Sequence, residues 1–241
     1  MSIDYSIVVP AYNEEEYLEN TLTRLKEAMN AISLNGEIIV ADNNSTDGTA
    51  EIARNMGATV VFEPINQISR ARNAGAKLAK GRYLVFVDAD TIAPPALLQT
   101  ALNHLESDKC VGGGATVATD TEVPFMVRVA LGYWNLLSRS FRLAAGCFMY
   151  ARRDDFEAIG GFSESVYATE EIWLSIGLRR LGRKSKRKFC IINEPKVISS
   201  GRKLDWYSHI HHVFLLLVIF LFPFFSRFKW MCGYWYKRPE R

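Results

Sequence analysis

The sequence lacks both glycine-rich signatures by which many α/β chains grip phosphate. No GxGxxG follows the first apolar stretch and no GxxxxGK[ST] occurs anywhere, which disfavours dinucleotide-dependent dehydrogenases and P-loop NTPases. Cysteine is sparse: Cys110, Cys147, Cys190 and Cys232 lie far apart, with no CxxC pair and no histidine at ligand spacing. They read as free thiols of a reducing compartment and not as a structural zinc site. Helix-turn-helix, zinc-finger and RNP patterns are missing, which argues against nucleic acid as a partner. No Pro-, Ser- or Gln-rich stretch suggests a disordered linker, and no internal repeat is visible. Met1-Ser2-Ile3-Asp4-Tyr5 has neither the basic nor the apolar region of a secretory signal.

What is present is an ordinary globular balance over 241 residues, 49% apolar and 23% charged, enough for one substantial core with an appendage. The net charge of +3 conceals an asymmetry. Residues 1–178 carry 14 Lys+Arg against 23 Asp+Glu, a balance of −9, and residues 179–241 carry 15 against 3, a balance of +12. An acidic body with a basic tail suggests that the tail meets phosphates or lipid headgroups.

Strand and helix signals alternate along the first half. Tyr5-Ser6-Ile7-Val8-Val9-Pro10 reads as a buried strand closed by its proline. Asn13 is placed to cap a helix whose positive end three glutamates match, and Leu18, Leu22, Leu25 and Met29 recur at helical spacing. Glu37–Asp42 is a second strand, followed by a polar turn and a helix at about Thr49–Met56 that Gly57 ends. Thr59–Phe62 is a third strand, and Ser69–Ala79 a helix carrying Arg70, Arg72 and Lys77. Such alternation means βαβ units and a mostly parallel sheet flanked by helices, with the carboxyl ends of its strands along one rim.

The run Tyr83-Leu84-Val85-Phe86-Val87 reads as a strand buried on both faces, and it stops at Asp88-Ala89-Asp90. Ligands gather at the carboxyl ends of such strands. If strand geometry persists one step past Val87, the two carboxylates converge, and two hard oxygen donors can hold a divalent cation and through it a diphosphate. The competing reading is that Asp88 caps a turn and Asp90 the helix opened near Pro94.

Four segments in order, Val8-Val9-Pro10-Ala11-Tyr12-Asn13-Glu14, Asp42-Asn43-Asn44-Ser45-Thr46-Asp47-Gly48-Thr49, Arg70-Ala71-Arg72-Asn73-Ala74-Gly75 and Asp88-Ala89-Asp90, resemble the serial motifs of family 2 glycosyltransferases with the GT-A fold. The resemblance covers residues 4 to 203. It implies a Rossmann-like α/β fold, a nucleotide-sugar donor, a Mg²⁺ or Mn²⁺ ion and inversion at the anomeric carbon. By that resemblance Pro10, Ala11, Tyr12 and Glu14, with Asp42 and Asn43, hold base and ribose. Arg72 lies near the donor, Asp88 with Ala89 contacts ribose or sugar, Asp90 ligates the metal with Asp88, and Arg202 lies by the diphosphate.

The second half is expected to bind the acceptor. Cys110–Val117 reads as a strand whose glycines admit another backbone or a ligand, and the aromatic helix at about 124–141 reads as core packing. Residues 146–162 resemble the family segment that precedes its catalytic acid. Where the family has a Glu-Asp pair at a helix start, this chain has Thr169-Glu170-Glu171. The resemblance makes Glu171 the base that takes the acceptor proton, with Glu170 as the alternate. Both acids also suit a helix N-terminus capped by Thr169. Lys188–Ile192 and Lys196–Ser200 read as two short strands. The QxxRW signature of processive members is absent, so one sugar per encounter is expected.

Val213–Phe225 is apolar all round. Thirteen helical residues would span about 20 Å, short of a bilayer core of about 30 Å. With His209, His211, His212 and a run of cations and aromatics beside it, residues 209–236 read as a monotopic or re-entrant anchor on the cytoplasmic leaflet. A buried terminal helix or an oligomer contact is the alternative. The expected organisation is a GT-A domain at 1–204, divided into a donor half (1–119) and an acceptor half (120–204), then a membrane-association segment at 205–241. The acceptor is a hydroxyl of a glycan or lipid-linked precursor. The rival functions are a non-catalytic nucleotide-sugar- or lipid-binding membrane protein and a nucleotidyltransferase, which would be expected to carry a Gly-rich, Arg/Lys-bearing loop where Ala11-Tyr12-Asn13-Glu14 stands.

Overall fold

The computed structural model describes residues 2–202 and 223–236. Four strands, β1 (Tyr5–Ala11), β2 (Gly36–Asp42), β3 (Thr59–Phe62) and β4 (Tyr83–Val87), pair in parallel. The second half completes the same sheet with β5 (Thr91–Ile92), β6 (Cys110–Thr119), β7 (Phe148–Arg152) and β8 (Lys188–Ser199), in the order β3-β2-β1-β4-β7-β6-β8-β5. There the sheet is mixed: β7 runs antiparallel to both β4 and β6, and β5 to β8, while β6 and β8 are parallel.

Helices α1 (Leu18–Asn30), α2 (Thr49–Asn55), α3 (Ile68–Leu78) and α4 (Pro95–Glu106) alternate with the first strands, and α5 (Phe125–Phe141), α6 (Arg153–Ala158) and α7 (Glu170–Ser185) with the later ones. A 3₁₀ turn at Pro223–Arg227 and the short α8 (Gly233–Tyr236) follow. Successive strand side chains go to opposite layers. Ile7, Val9, Val85 and Val87 join Leu22, Leu25, Leu97 and Leu98 in one core cluster, and Val8, Leu84 and Phe86 join Ala76, Phe162 and Leu178 in the other. This two-sided burial is why the strands read as unbroken apolar runs.

Close approaches set two glycines. At Gly113, on β6, a Cβ would collide with the Cys190 carbonyl and the Tyr150 ring; at Gly81 it would collide with the Tyr5 backbone. Backbone cannot yield as a flexible side chain can. Gly81→Ala is therefore expected to lower stability by about 3 kcal/mol, read as a fall in the denaturant midpoint at unchanged slope.

Several expectations are corrected. Pro10 does not end β1, which pairs onward to Ala11 opposite Asp42; proline interrupts a ladder only where its missing N–H is needed. Asn13 caps no helix. It sits at φ 53° and α1 starts at Leu18, preceded by Tyr17. The two short strands expected at 188–200 are one strand, β8, whose register to β6 slips between Ala115 and Val117.

Cys110 and Cys190, 80 positions apart, are joined in a disulfide with Cα atoms 6.4 Å apart, and His104 offers a ring nitrogen within 4.8 Å of the sulfurs. The pairing of β6 with β8 creates this proximity, which no local spacing could disclose. Only Cys147 and Cys232 are free. A denatured, unreduced sample should accordingly titrate two thiols and a reduced one four.

The aromatic helix α5 packs on the core only through Leu131 and Trp134. Only Ser138 is buried in it, while Phe125, Met126, Val129, Tyr133, Leu136 and Phe141 are exposed. The apolar run before Pro223 lies outside the described residues. Among the described residues, no helix is long and apolar enough to cross a membrane.

Candidate active site

Strand geometry ends at Val87, and Asp88–Thr91 is a turn closed by the Thr91 N–H donating to the Asp88 carbonyl at 3.1 Å. The Asp88 N–H is held by the Cys147 carbonyl at 3.2 Å, and the Thr21 hydroxyl donates to the Ala89 carbonyl at 2.8 Å. Asp90 is not the cap of α4, which is preceded by Pro94 and has no side-chain cap. Each carboxylate has its own arginine. Arg72 Nη2 donates to Asp88 Oδ1 at 2.8 Å, and Arg202 Nη2 lies 2.9 Å from Asp90 Oδ2. Burial first, and then the charges of Asp88 and Asp90, push the Cys147 thiol well up.

Arg72, on α3, is 1% exposed and joins the two halves of the site. Besides Asp88, its Nη1 reaches Glu170 Oε1 at 2.5 Å, its Nη2 donates to the Gly146 carbonyl at 2.8 Å, and its guanidinium lies 5.2 Å from the Phe162 ring centroid. Burial works against its charge, but Asp88 and then Glu170 more than offset this and hold the proton more firmly than usual. A planar fork reaching three acceptors is a task for arginine rather than lysine.

Glu170 and Glu171 open α7, as expected, but Thr169 makes no side-chain cap. It sits at φ 67° with its hydroxyl buried and without a hydrogen-bond partner. A β-branched residue in the left-handed region is strained, and such strain gathers at functional sites. The two acids then diverge. Glu170 is buried and locked to Arg72. Glu171 is half-buried, with its carboxyl near Gly146, where an added Cβ would lie 3.3 Å from Arg72 Nη2 and 3.9 Å from Glu171 Cδ. Burial, and then the neighbouring Glu170, push the Glu171 pKa up to about 8. Burial also raises that of Glu170, against the pull of Arg72.

Across the cleft Arg202 bonds Glu14 Oε1 at 2.6 Å and stacks 4.3 Å over Tyr17. Asn13 accepts from the Thr46 N–H at 2.8 Å and donates its own N–H to Ser45 Oγ, latching the loop after β1 to the turn after β2. Asp42 is buried at the end of β2, with Oδ1 receiving the Ser45 N–H at 3.0 Å. Pro10, Ala11 and the half-buried Tyr12 share this rim.

The Asn43 side chain is engaged by the backbone. Its amide donates to the Glu63 and Ile65 carbonyls and accepts the Gln67 N–H, so it braces the loop ahead of α3. Gly146, Cys147, Tyr17 and Phe162 went unnoticed as site residues; only the 146–162 resemblance pointed near three of them.

The model of glycosyl transferase family 2 matches residues 6–160. The chain belongs to glycosyl transferase family 2. It is 32% identical over 142 residues to the uncharacterized glycosyltransferase YkcC of Bacillus subtilis, covering 56% of this chain and 44% of that protein. To the dolichol-phosphate mannosyltransferase of Saccharomyces cerevisiae it is 31% identical over 155 residues, covering 60% and 58%. The chain thus spans about half the length of these relatives. Its fold is similar to that of the mannosyltransferase PcManGT from Pyrobaculum calidifontis, seen with GDP-Man and Mn²⁺, at TM-score 0.64 and 20% identity over 89% of this chain and 60% of that one. Glucosyl-3-phosphoglycerate synthase from Mycobacterium tuberculosis, seen with Mn²⁺ and UDP, gives TM-score 0.63 and 22% identity over 90% and 79%. The fold is GT-A-like.

The donor set at the rim fits a hard divalent cation. Carboxylate oxygens of Asp90 and Asp88 are the ligand type that Mg²⁺ and Mn²⁺ take. Among the described residues Asp90 Oδ1 has only the Thr91 hydroxyl at 3.4 Å, and Arg202 supplies positive charge beside Oδ2.

Proposed function

We propose that the chain is an inverting glycosyltransferase that moves a single sugar from a UDP- or GDP-linked donor to a hydroxyl acceptor. The observation that carries this is the division of labour between the two α7 glutamates: Glu170 is neutralised by Arg72, and Glu171 is left beside the same cleft with a raised pKa.

Base and ribose lie along Pro10, Ala11, Tyr12 and Asp42, with Glu14 holding Arg202 toward the diphosphate. Asp90, with Asp88, would hold a Mg²⁺ or Mn²⁺ ion, which neutralises the departing diphosphate when bound. Asp88 orients ribose or sugar and is itself fixed by Arg72. Glu171 takes the acceptor proton as that oxygen approaches the anomeric carbon from the face opposite the nucleotide. A carboxyl with a pKa near the working pH suits a proton acceptor. Glu170 and Arg72 keep α7 in register with the donor side.

Residues 209–236 are proposed to hold the protein at the cytoplasmic face of a membrane. Phe224, Phe228 and Trp230 are exposed beside Arg227 and Lys229, and a lipid-linked glycan precursor would be an acceptor within reach.

The test is a panel of nucleotide sugars assayed for nucleotide release with Mn²⁺ or Mg²⁺, with EDTA, and for Asp90→Ala. Turnover from one donor, lowered by about 10²-fold or more by chelation and by the substitution, is expected. Donor binding without turnover on any acceptor would favour the binding-protein reading, and turnover indifferent to EDTA would remove the metal from the account.

A further inference from the structure

Helix α5 is an unusual surface element, a 17-residue helix that buries only Ser138. Its inner side is short. Leu131 and Trp134 pack on the core, Asn135 brackets Val117 with a bond to its N–H and one to its carbonyl, both 2.9 Å, and Ser138 donates to the Leu143 carbonyl. Phe125, Val129, Tyr133 and Leu136, at steps of four, four and three, form the opposite stripe, with Met126 beside it, and each of the five is 50% or more exposed. A contiguous apolar face of this kind on a soluble surface marks an interaction site.

The charges around the stripe say what it meets. Arg128 and Arg139, three turns apart, lie on one flank, Arg128 stacking 5.6 Å over the Phe125 ring. Arg179 and Arg183 stand one turn apart on α7, and after burial the charges of Arg183 and then of Arg142, at the carboxyl end of α5, lower the Arg179 pKa. Among the described residues none of these five arginines forms a salt bridge with a carboxylate. Arg139 donates to Asn193 Oδ1 at 3.1 Å, and an apolar stripe bordered by arginines without a carboxylate partner has the layout of a helix lying in the plane of a lipid interface, with its aromatics at headgroup depth and its cations on phosphates.

We infer that the outer face of α5, with the Arg142/Arg179/Arg183 cluster at its end, docks the catalytic domain onto an anionic lipid bilayer. This surface belongs to a different stretch of the sequence from residues 209–236 and extends the membrane attachment proposed for them. It sits in the acceptor half, and the chain runs from its end at Arg142 to Gly146 and Cys147 in the cleft, so docking there would bring the cleft to the lipid surface.

The test is flotation of the full chain with vesicles of phosphatidylcholine alone and of phosphatidylcholine with about one-third phosphatidylglycerol, an anionic surface of the kind basic segments recognise. Val129→Glu with Leu136→Glu is expected to weaken binding to the anionic vesicles about tenfold or more. Arg179→Gln with Arg183→Gln is expected to lose the preference for anionic over neutral vesicles. Unchanged thermal melting and nucleotide affinity show that both variants are folded. If wild type floats and the Val129/Leu136 variant floats equally, this inference fails and the C-terminal reading stands; if wild type does not float, both fail. A wild-type dimer in sedimentation velocity that the same variant dissociates, with flotation unchanged, would assign the face to a second copy instead.

Discussion

Glu171→Gln is expected to lower kcat by about 10³-fold while leaving nucleotide affinity within a few-fold of wild type, as removal of a general base does. The reason lies in what each α7 carboxyl touches. Glu170 is tied up by an arginine at 2.5 Å, and among the described residues Glu171 forms no such ion pair. The pH dependence follows. Proton acceptance needs the carboxylate, and the folded pKa lies at about 8 against an ordinary 4.5, so wild-type kcat/KM should rise through about pH 8 and level off above it. The residual activity of Glu171→Gln should lack that limb.

Stability moves the other way. The folded state holds this proton more tightly than the unfolded chain, so wild type loses stability as pH rises from about 4.5 to about 8. The glutamine variant carries no such loss. It should melt higher than wild type above pH 8 and much like it below pH 4.5. A glutamine that is inactive but more stable identifies a carboxyl held at a functional post. Glu170→Gln should behave differently, because it takes from the buried Arg72 one of its two salt-bridge partners among the described residues.

The second large effect is expected at Arg72. Arg72→Met approximates the volume and removes the charge, leaving Glu170 buried without its ion-pair partner and taking the Arg72 hydrogen bond from Asp88. Removing one partner of a buried pair typically costs about 3–5 kcal/mol. The loss should be greater near neutral pH than in acid, where Glu170 is protonated in both states. Arg72→Lys should recover little, since a point charge cannot reach Glu170, Asp88 and the Gly146 carbonyl together. Combining Arg72→Met with Glu170→Gln should restore part of the stability lost in the single variant, and such non-additivity in denaturant titrations would measure the coupling.

Much of the first half of the chain was legible because its signals are local. Thr59–Phe62 and Tyr83–Val87 fall where composition places them, and Leu18, Leu22 and Leu25 form the buried stripe of α1. Asp88, Arg72 and the two glutamates do meet at one place, though motif order rather than periodicity drew attention to them. What was missed depends on pairing between distant segments. The Cys110–Cys190 bond requires β6 beside β8. Asn43 stands in a motif yet is occupied by the backbone of 63–67, a use that its sequence position cannot distinguish from ligand binding. For α5 the helical spacing of apolar residues holds, but periodicity does not say whether a stripe faces a core or the surface.

The anomeric configuration of the first-formed product tests the central claim most directly, because a single displacement with Glu171 as proton acceptor permits one stereochemical outcome. Proton NMR of the early reaction, on whichever donor the panel selects, should show a sugar linked with the configuration opposite to that in the donor. A product with retained configuration would contradict the account, for it would require a second displacement or a front-face path in which Glu171 does not act as the base.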